Sequence, residues 1–168
     1  MRDPFANPRQ LIVRVYAYVA YRIGDGPEAE DITSEAFERA LRYRKSFDPR
    51  RGDATAWVIG IARNCVVDAA ARGETPSDDL PELAVIGHED DSLRRVDLRA
   101  AVAQLDERDR ELVALRYGSD LTARQIGDLL GMRTNAVEVA LHRALGRLRS
   151  LLEPLADEPT AVPAPLRV

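Results

Sequence analysis

Arginine and carboxylate are the side chains in this sequence whose types and spacing could do chemistry, and that chemistry is ion pairing rather than bond making. Between residues 39 and 52, Arg39, Arg42, Arg44, Lys45, Arg50 and Arg51 face only Asp48, a local cationic patch of the kind that suits a polyanion. Glu30, Asp31, Glu35 and Glu38 form the opposite case, a carboxylate-rich helical stretch able to pair with a basic partner surface. Further on, Arg133, His142, Arg143, Arg147 and Arg149 stand against one acid, Glu138. Nucleophilic or metal chemistry has little to stand on: His88 and His142 lie far from Cys65 and lack ligand-like spacing. No glycine-rich phosphate loop follows a strand, and no paired acids mark a cleft. The chain is therefore not expected to be an enzyme, and no catalytic residue, metal or cofactor is expected.

Helices must position these groups, because aromatics make up 5% of the chain and no sustained apolar–polar alternation signals a strand. Asn7-Pro8 reads as a cap and first turn of a helix reaching about Ile23, stopped by Gly24-Asp25-Gly26. Pro27 opens a second helix with Ile32, Ala36, Phe37, Ala40 and Leu41 at helical spacing, ending near Arg44. Residues 47–53 read as a loop, since Asp-Pro and Gly-Asp form turns. A third helix follows, with Trp57, Val58, Ile61, Ala62, Cys65 and Val66 on one broad face. Trp57 and Cys65 are expected in the core. Helical patterning resumes at Ser92, and Asp106 begins another helix, broken at residues 117–120. The proline-rich stretch 153–168 is expected to be disordered.

Thr122-Ala-Arg-Gln125 is a capping box. The short helix behind it turns Ile126, Leu129 and Leu130 inward, with Gly127 small enough for close approach, and Gly131 ends it in the left-handed conformation. Thr134 or Asn135 then caps a longer helix whose apolar positions are Val137, Leu141, Leu145 and Leu148. A small residue at 127, a glycine four positions on at 131 and a buried valine six beyond that at 137 keep the spacing of a helix-turn-helix. Laid in a major groove, the second of these helices would bring its first residues to base edges and its arginines to phosphates.

The net charge of -4 over 168 residues hides this pattern. Residues 1–73 carry 12 basic and 10 acidic side chains, residues 74–97 carry 2 and 8, residues 98–151 carry 9 and 7, and residues 152–168 carry 1 and 3. Two mildly basic blocks are thus joined by an acidic, Gly/Pro/Ser-containing segment that reads as a linker. The length suits two small domains, a single cysteine excludes a disulfide framework, and no apolar run spans a bilayer. No membrane insertion is expected, and with no leader pattern at the start the expected compartment is the cytoplasm.

The motifs Pro27-Glu-Ala-Glu-Asp31, Ser34-Glu-Ala-Phe37, Phe47-Asp-Pro-Arg-Arg-Gly52, Ala56-Trp57, Ile61-Ala-Arg-Asn64, the stretch Leu105 to Tyr117, the helix-turn-helix and Leu141-His-Arg-Ala144 occur in this order. Together the set resembles a bacterial extracytoplasmic-function (ECF) sigma factor of the sigma-70 family. The resemblance implies an all-α fold of two small helical domains joined by a flexible acidic linker: sigma region 2 in 1–73, the linker in 74–97, sigma region 4 in 98–152 and a tail in 153–168.

It also implies partners: core RNA polymerase, through the clamp helices of its largest subunit and its flap, promoter DNA, and an anti-sigma factor as regulator. Glu30, Asp31, Glu35 and Glu38 match the family's polymerase-docking helix. Phe47, Asp48, Arg50, Arg51 and Asp53 match the loop that captures an unstacked base of the -10 promoter element, and Arg63 and Asn64 the helix beside it. Arg133, Thr134, Asn135, Glu138, Val139, His142, Arg143 and Arg147 are the expected -35 contacts. Glu138-Val139-Ala140 departs from the family's common Lys-Ser-Arg, which removes two phosphate-gripping cations. The acidic linker is expected to imitate nucleic acid in the polymerase's RNA exit path, and the overall acidity fits a chain that binds promoters mainly within the polymerase complex. A stand-alone helix-turn-helix regulator, which would bind duplex without polymerase and leaves residues 47–53 unexplained, and a protein-only helical adaptor are the competing readings.

Overall fold

The computed structural model describes residues 4–73 and 89–156, and all the regular structure among them is helical. The elements are α1 (Pro8–Ile23), α2 (Pro27–Arg42), a 3-10 turn (Arg44–Ser46), α3 (Ala54–Ala71), α4 (Glu89–Gln104), α5 (Glu107–Val113), a π-helical turn (Ala114–Gly118), α6 (Ala123–Leu130) and α7 (Thr134–Ala156). Helices α1, α2 and α3 pack together, and α4, α5 and α6 each pack on α7. The acidic segment 74–88 and residues 157–168 lie outside the described residues.

Local chemistry sets the helix starts. Asn7 Oδ1 accepts from the Gln10 amide at 3.4 Å, Asp53 Oδ1 from the Ala56 amide at 2.8 Å, and Asp106 Oδ1 from the Asp109 amide at 2.8 Å, each satisfying a donor that the first turn leaves free. Thr122 and Gln125 close the expected capping box, Thr122 N–H donating to Gln125 Oε1 at 2.8 Å. Gly131 ends α6 at φ 68°, where a Cβ would strain the chain.

Three boundaries differ from the sequence reading. Helix α2 stops at Arg42 and a 3-10 turn carries Arg44. Helix α4 begins at Glu89 rather than Ser92, inside the range read as linker, and α7 continues to Ala156, so residues 153–156 of the expected disordered tail are helical. Leu148 near the end of α7 is buried against Ala101, Val102 and Leu105 of α4 and the following loop, which gives the long helix a partner beyond the helix-turn-helix itself.

The apolar core crosses from one helical group to the other. Val15, Tyr18 and Val19 of α1 and Val58, Ile59, Ala62 and Cys65 of α3 belong to the same buried cluster as Leu112, Leu115, Leu121, Ile126 and Val137. Trp57 is half-buried against it, and burial pushes the Cys65 thiol pKa up, as expected of a cysteine that serves as a small apolar group. Closest approach occurs where the π turn meets α1: a Cβ on Gly118 would lie 3.0 Å from the Tyr18 amide nitrogen. Two residues past the turn stands Asp120, the non-glycine residue with positive φ (57°) among those described, an angle that Asp tolerates better than most residues.

Gly127 makes room not for another helix but for its own turn. A Cβ there would stand 2.6 Å from the Met132 carbonyl oxygen, backbone that no side-chain rotation relieves. Gly127→Ala is therefore expected to destabilise the protein by about 1–3 kcal/mol. Gly146, exposed in α7 with nothing within 4 Å of an added Cβ, should behave oppositely, and Gly146→Ala should stabilise by up to about 1 kcal/mol. Urea titrations of both variants check the signs; a neutral Gly127→Ala would mean that the turn is not packed this tightly.

Candidate nucleic-acid interface

In α7, Val137 and Leu141 turn into the core while Thr134, Asn135, Glu138, Val139, His142 and Arg143 are exposed. Spacings of four residues along 134, 138, 142 and along 135, 139, 143 put these side chains on one side of the helix. The Arg133 carbonyl accepts from the Val137 amide at 3.1 Å, so Arg133 holds the cap position and Thr134, expected as a cap, is the first residue of the helix. Arg133 is exposed at that start, and Arg124 adds an exposed cation in the first turn of α6, which the sequence reading missed. Glu138 and His142 border a shallow cleft with Arg116, Thr122, Ala123 and Leu145, and the Arg116 guanidinium is held there by donating to the Leu121 carbonyl at 3.0 Å. This surface offers hydrogen-bonding side chains at a helix start flanked by cations, an arrangement suited to base edges and phosphates in a major groove.

The loop 47–53 is tethered at both ends. Phe47 is buried, its ring 5.3 Å from that of Trp57, so it forms the floor of the loop rather than an outward contact. Asp48 Oδ1 accepts from the Arg50 amide at 2.9 Å, and the Asp48 carbonyl from the Arg51 amide at 3.0 Å, a turn that leaves the Arg50 and Arg51 side chains exposed. At the far end Asp53 caps α3 with one carboxylate oxygen and accepts from Gln125 Nε2 with the other. Arg63, ten residues along α3, donates from Nε to Glu111 at 2.6 Å, a bond that raises the guanidinium's already high pKa. Asn64 beside it is exposed.

A helix-turn-helix at one end and an arginine-bearing loop at the other are what the comparisons with known proteins join. Residues 9–75 match the family described as Sigma-70 region 2, and residues 95–148 match Sigma-70, region 4. The chain is 39% identical over 136 residues to the ECF RNA polymerase sigma factor ShbA of Streptomyces griseus, covering 74% of this chain and 71% of ShbA. The chain is an ECF sigma factor of the sigma-70 family. Its identity to the sigma factor BldN of Streptomyces coelicolor is 33% over 151 residues, 82% of this chain but 56% of BldN, so it spans little more than half of that relative. The fold is similar to that of the sigma factor RpoE, solved with the anti-sigma factor NepR from Bartonella quintana, with a TM-score of 0.68 at 20% identity over 85% of this chain and 92% of RpoE.

On the α2 face of this sigma factor, Glu30, Asp31 and Glu38 are exposed. Glu35 differs: it is half-buried and pairs with Arg39 at 2.5 Å and Arg72 at 3.5 Å, while Arg39 also reaches Asp68 at 2.7 Å. Much of its charge is matched within region 2 itself.

Arg147, one of the expected -35 contacts, is exposed but already has a partner within the protein. Its Nε donates to Asp109, whose side chain is 5% exposed, so the arginine clamps α7 to α5. Arg147→Ala leaves that carboxylate buried without its counter-charge. The variant is expected to melt several degrees below the parent, whereas Arg143→Ala, at an exposed position, should leave the melting temperature nearly unchanged. Thermal unfolding followed by circular dichroism checks this; equal midpoints would return Arg147 to the DNA-facing set.

Proposed function

We propose that this sigma factor binds core RNA polymerase, directs it to promoters by reading a -35 and a -10 element, and assists opening of the duplex, without catalysing a reaction itself. It acts beside the polymerase, in the cytoplasm. Residues 1–73 serve as region 2, 74–97 as the acidic linker, 98–152 as region 4 and 153–168 as the tail. The observation that carries this reading is the one-sided exposure of Thr134, Asn135, Glu138, His142 and Arg143 on a helix fixed by Val137 and Leu141.

Each surface has a role in the reading. The exposed carboxylates Glu30, Asp31 and Glu38 dock on the clamp helices of the largest subunit, where opposite charge sets orientation and rate of encounter, and region 4 meets the flap. Glu35 contributes less, because Arg39 and Arg72 already neutralise it. Residues 47–53 with Asn64 and Arg63 take the -10 element: Asp48, Arg50 and Arg51 line the capture site, and Phe47 supports it from below. Arg133, Asn135, Glu138 and Arg143 read the -35 element, with Glu138 as an acceptor for a cytosine amine. The linker's carboxylates stand in for nucleic acid in the RNA exit path. An anti-sigma factor regulates the chain, a partner of the kind that NepR is for RpoE.

Transcription reconstituted from core polymerase, this chain and promoter fragments tests the reading directly, and failure to associate with core would overturn it. The double variant Glu30→Lys/Asp31→Lys, at two exposed positions, should weaken association with core by about tenfold or more while leaving helical content unchanged. In the complex, Asn135→Ala should relax discrimination at one -35 base pair by about 1–3 kcal/mol, read as the ratio of affinities for matched and mismatched promoters; an unchanged ratio removes Asn135 from the reading surface.

A further inference from the structure

Part of the cationic run between residues 39 and 52 stays outside the promoter reading. Arg50 and Arg51 are assigned to the -10 loop, and Arg39 is engaged inside region 2 by Glu35 and Asp68. Arg42, Arg44 and Lys45 remain, and all three are exposed. In their midst stands Tyr43, an aromatic residue left 54% exposed.

The backbone fixes where that side chain stands. The Tyr43 amide donates to the Arg39 carbonyl at 2.9 Å, while the Tyr43 carbonyl accepts from the Ser46 amide at 2.8 Å and from the Ser46 hydroxyl at 2.7 Å. Tyr43 is thus the joint between α2 and the 3-10 turn, held from both sides. The Phe47 amide then donates to the Arg44 carbonyl at 3.3 Å, and the Phe47 ring is buried against Trp57. The turn that presents Tyr43 therefore runs without a break into the floor of the -10 loop. Asp48, the single acid in residues 42–51, turns a carboxylate oxygen onto the Arg50 amide, so five cations and one exposed aromatic residue share this stretch with little opposing charge.

A band of cations alone suits the phosphates of a duplex as well as those of a single strand. The aromatic residue decides between them. In a duplex the faces of each base are covered by its neighbours, whereas an unpaired base offers a free face, and stacking on an aromatic side chain flanked by cations holds single strands with little regard to sequence. We propose that Tyr43 is a stacking platform for an unpaired base of the opened promoter strand, next to the base captured at 47–53, with Arg42, Arg44 and Lys45 holding the phosphates around it. The inference rests on the assignment of residues 47–53 to the -10 element and extends the single-strand track from that loop back to the end of α2. It gives the opened strand a hold that does not depend on the base it carries there, beside one that does.

Holoenzyme reconstituted from core polymerase and the full chain, with core alone as background, is titrated against a fluorescein-labelled, random-sequence single strand of about 15 nucleotides. Tyr43→Ala should weaken binding by about tenfold, and Tyr43→Phe, which keeps the ring, should bind as the parent does. On an abasic strand of the same length, which keeps the phosphates and lacks the bases, Tyr43→Ala and the parent should be equal. Arg44→Ala/Lys45→Ala should weaken binding of both strands and flatten its salt dependence. Parent-like binding of the base-bearing strand by Tyr43→Ala overturns the platform, as does an equal loss on the abasic strand. A Tyr43→Ala defect confined to association with core gives the ring to a protein partner and overturns the proposal as well. The Arg50→Ala/Arg51→Ala holoenzyme separates the two ideas. If it binds the base-bearing strand as the parent does, the -10 assignment falls and the platform with it; if it binds more weakly while Tyr43→Ala does not, the platform alone falls.

Discussion

Helix α1 must bury side chains against two sets of neighbours at once: α2 and α3 on one side, and α4, α5 and the π turn on the other. Leu11, Val15, Tyr18, Val19 and Arg22 are all buried along it, a face too broad for a three-helix bundle alone to cover. Each fully buried apolar side chain contributes about 1.5–3 kcal/mol relative to exposure, so the second set of neighbours adds substantially to what holds region 2 together. The π turn is the shape that fits this face. Its wider backbone ring brings Gly118 onto the backbone of Ala17 and Tyr18, and the buried Ser119 hydroxyl is satisfied by donating at 2.9 Å to the Leu115 carbonyl, which also accepts from the Leu121 amide at 3.1 Å.

Charge is distributed by the same logic. Arg14, Arg22, Arg39, Arg63, Arg99 and Arg147 are all committed to ion pairs within the protein, most of them partly buried and holding elements together. Other cations gather at exposed positions: Arg42, Arg44, Lys45, Arg50 and Arg51 near the loop, and Arg124, Arg133, Arg143 and Arg149 on the helix-turn-helix. An overall charge of -4 is thus compatible with two positive surfaces, since a polyanion responds to the local potential within about a Debye length, roughly 8–10 Å.

Sequence made the helices and their starts legible because those depend on neighbours a few residues apart. Asn7, Asp106, the Thr122–Gln125 box and Gly131 announce themselves by residue type, and the spacing of Val137, Leu141 and Leu148 separates the exposed face of α7 from its buried one. What could not be read is which partner a buried face meets. Arg63 and Glu111 are 48 residues apart, Asp53 and Gln125 72, and nothing in the periodicity of α3 or α5 says that one arginine leaves solvent for the other helix. The same holds for Arg147: four residues after Arg143, it shares that residue's helical side, and nothing in the spacing announces its pairing with Asp109 in the first turn of α5. The π turn was hidden because its signature is an extra residue in a hydrogen-bonded ring, not a residue type.

Gln125 ties the reading head to the seam between the regions. Its Oε1 accepts from the Thr122 amide at 2.8 Å and from the Thr122 hydroxyl at 2.9 Å, closing the capping box, while its Nε2 donates to Asp53. One amide group thus completes the first turn of α6 and touches the cap of α3, with both ends of its polarity in use. Helix α6 also carries Leu129 onto Gly60 of α3, and the Gly127 carbonyl accepts from the Met132 amide at 2.9 Å in the turn before α7, so one short helix links the seam to the start of α7.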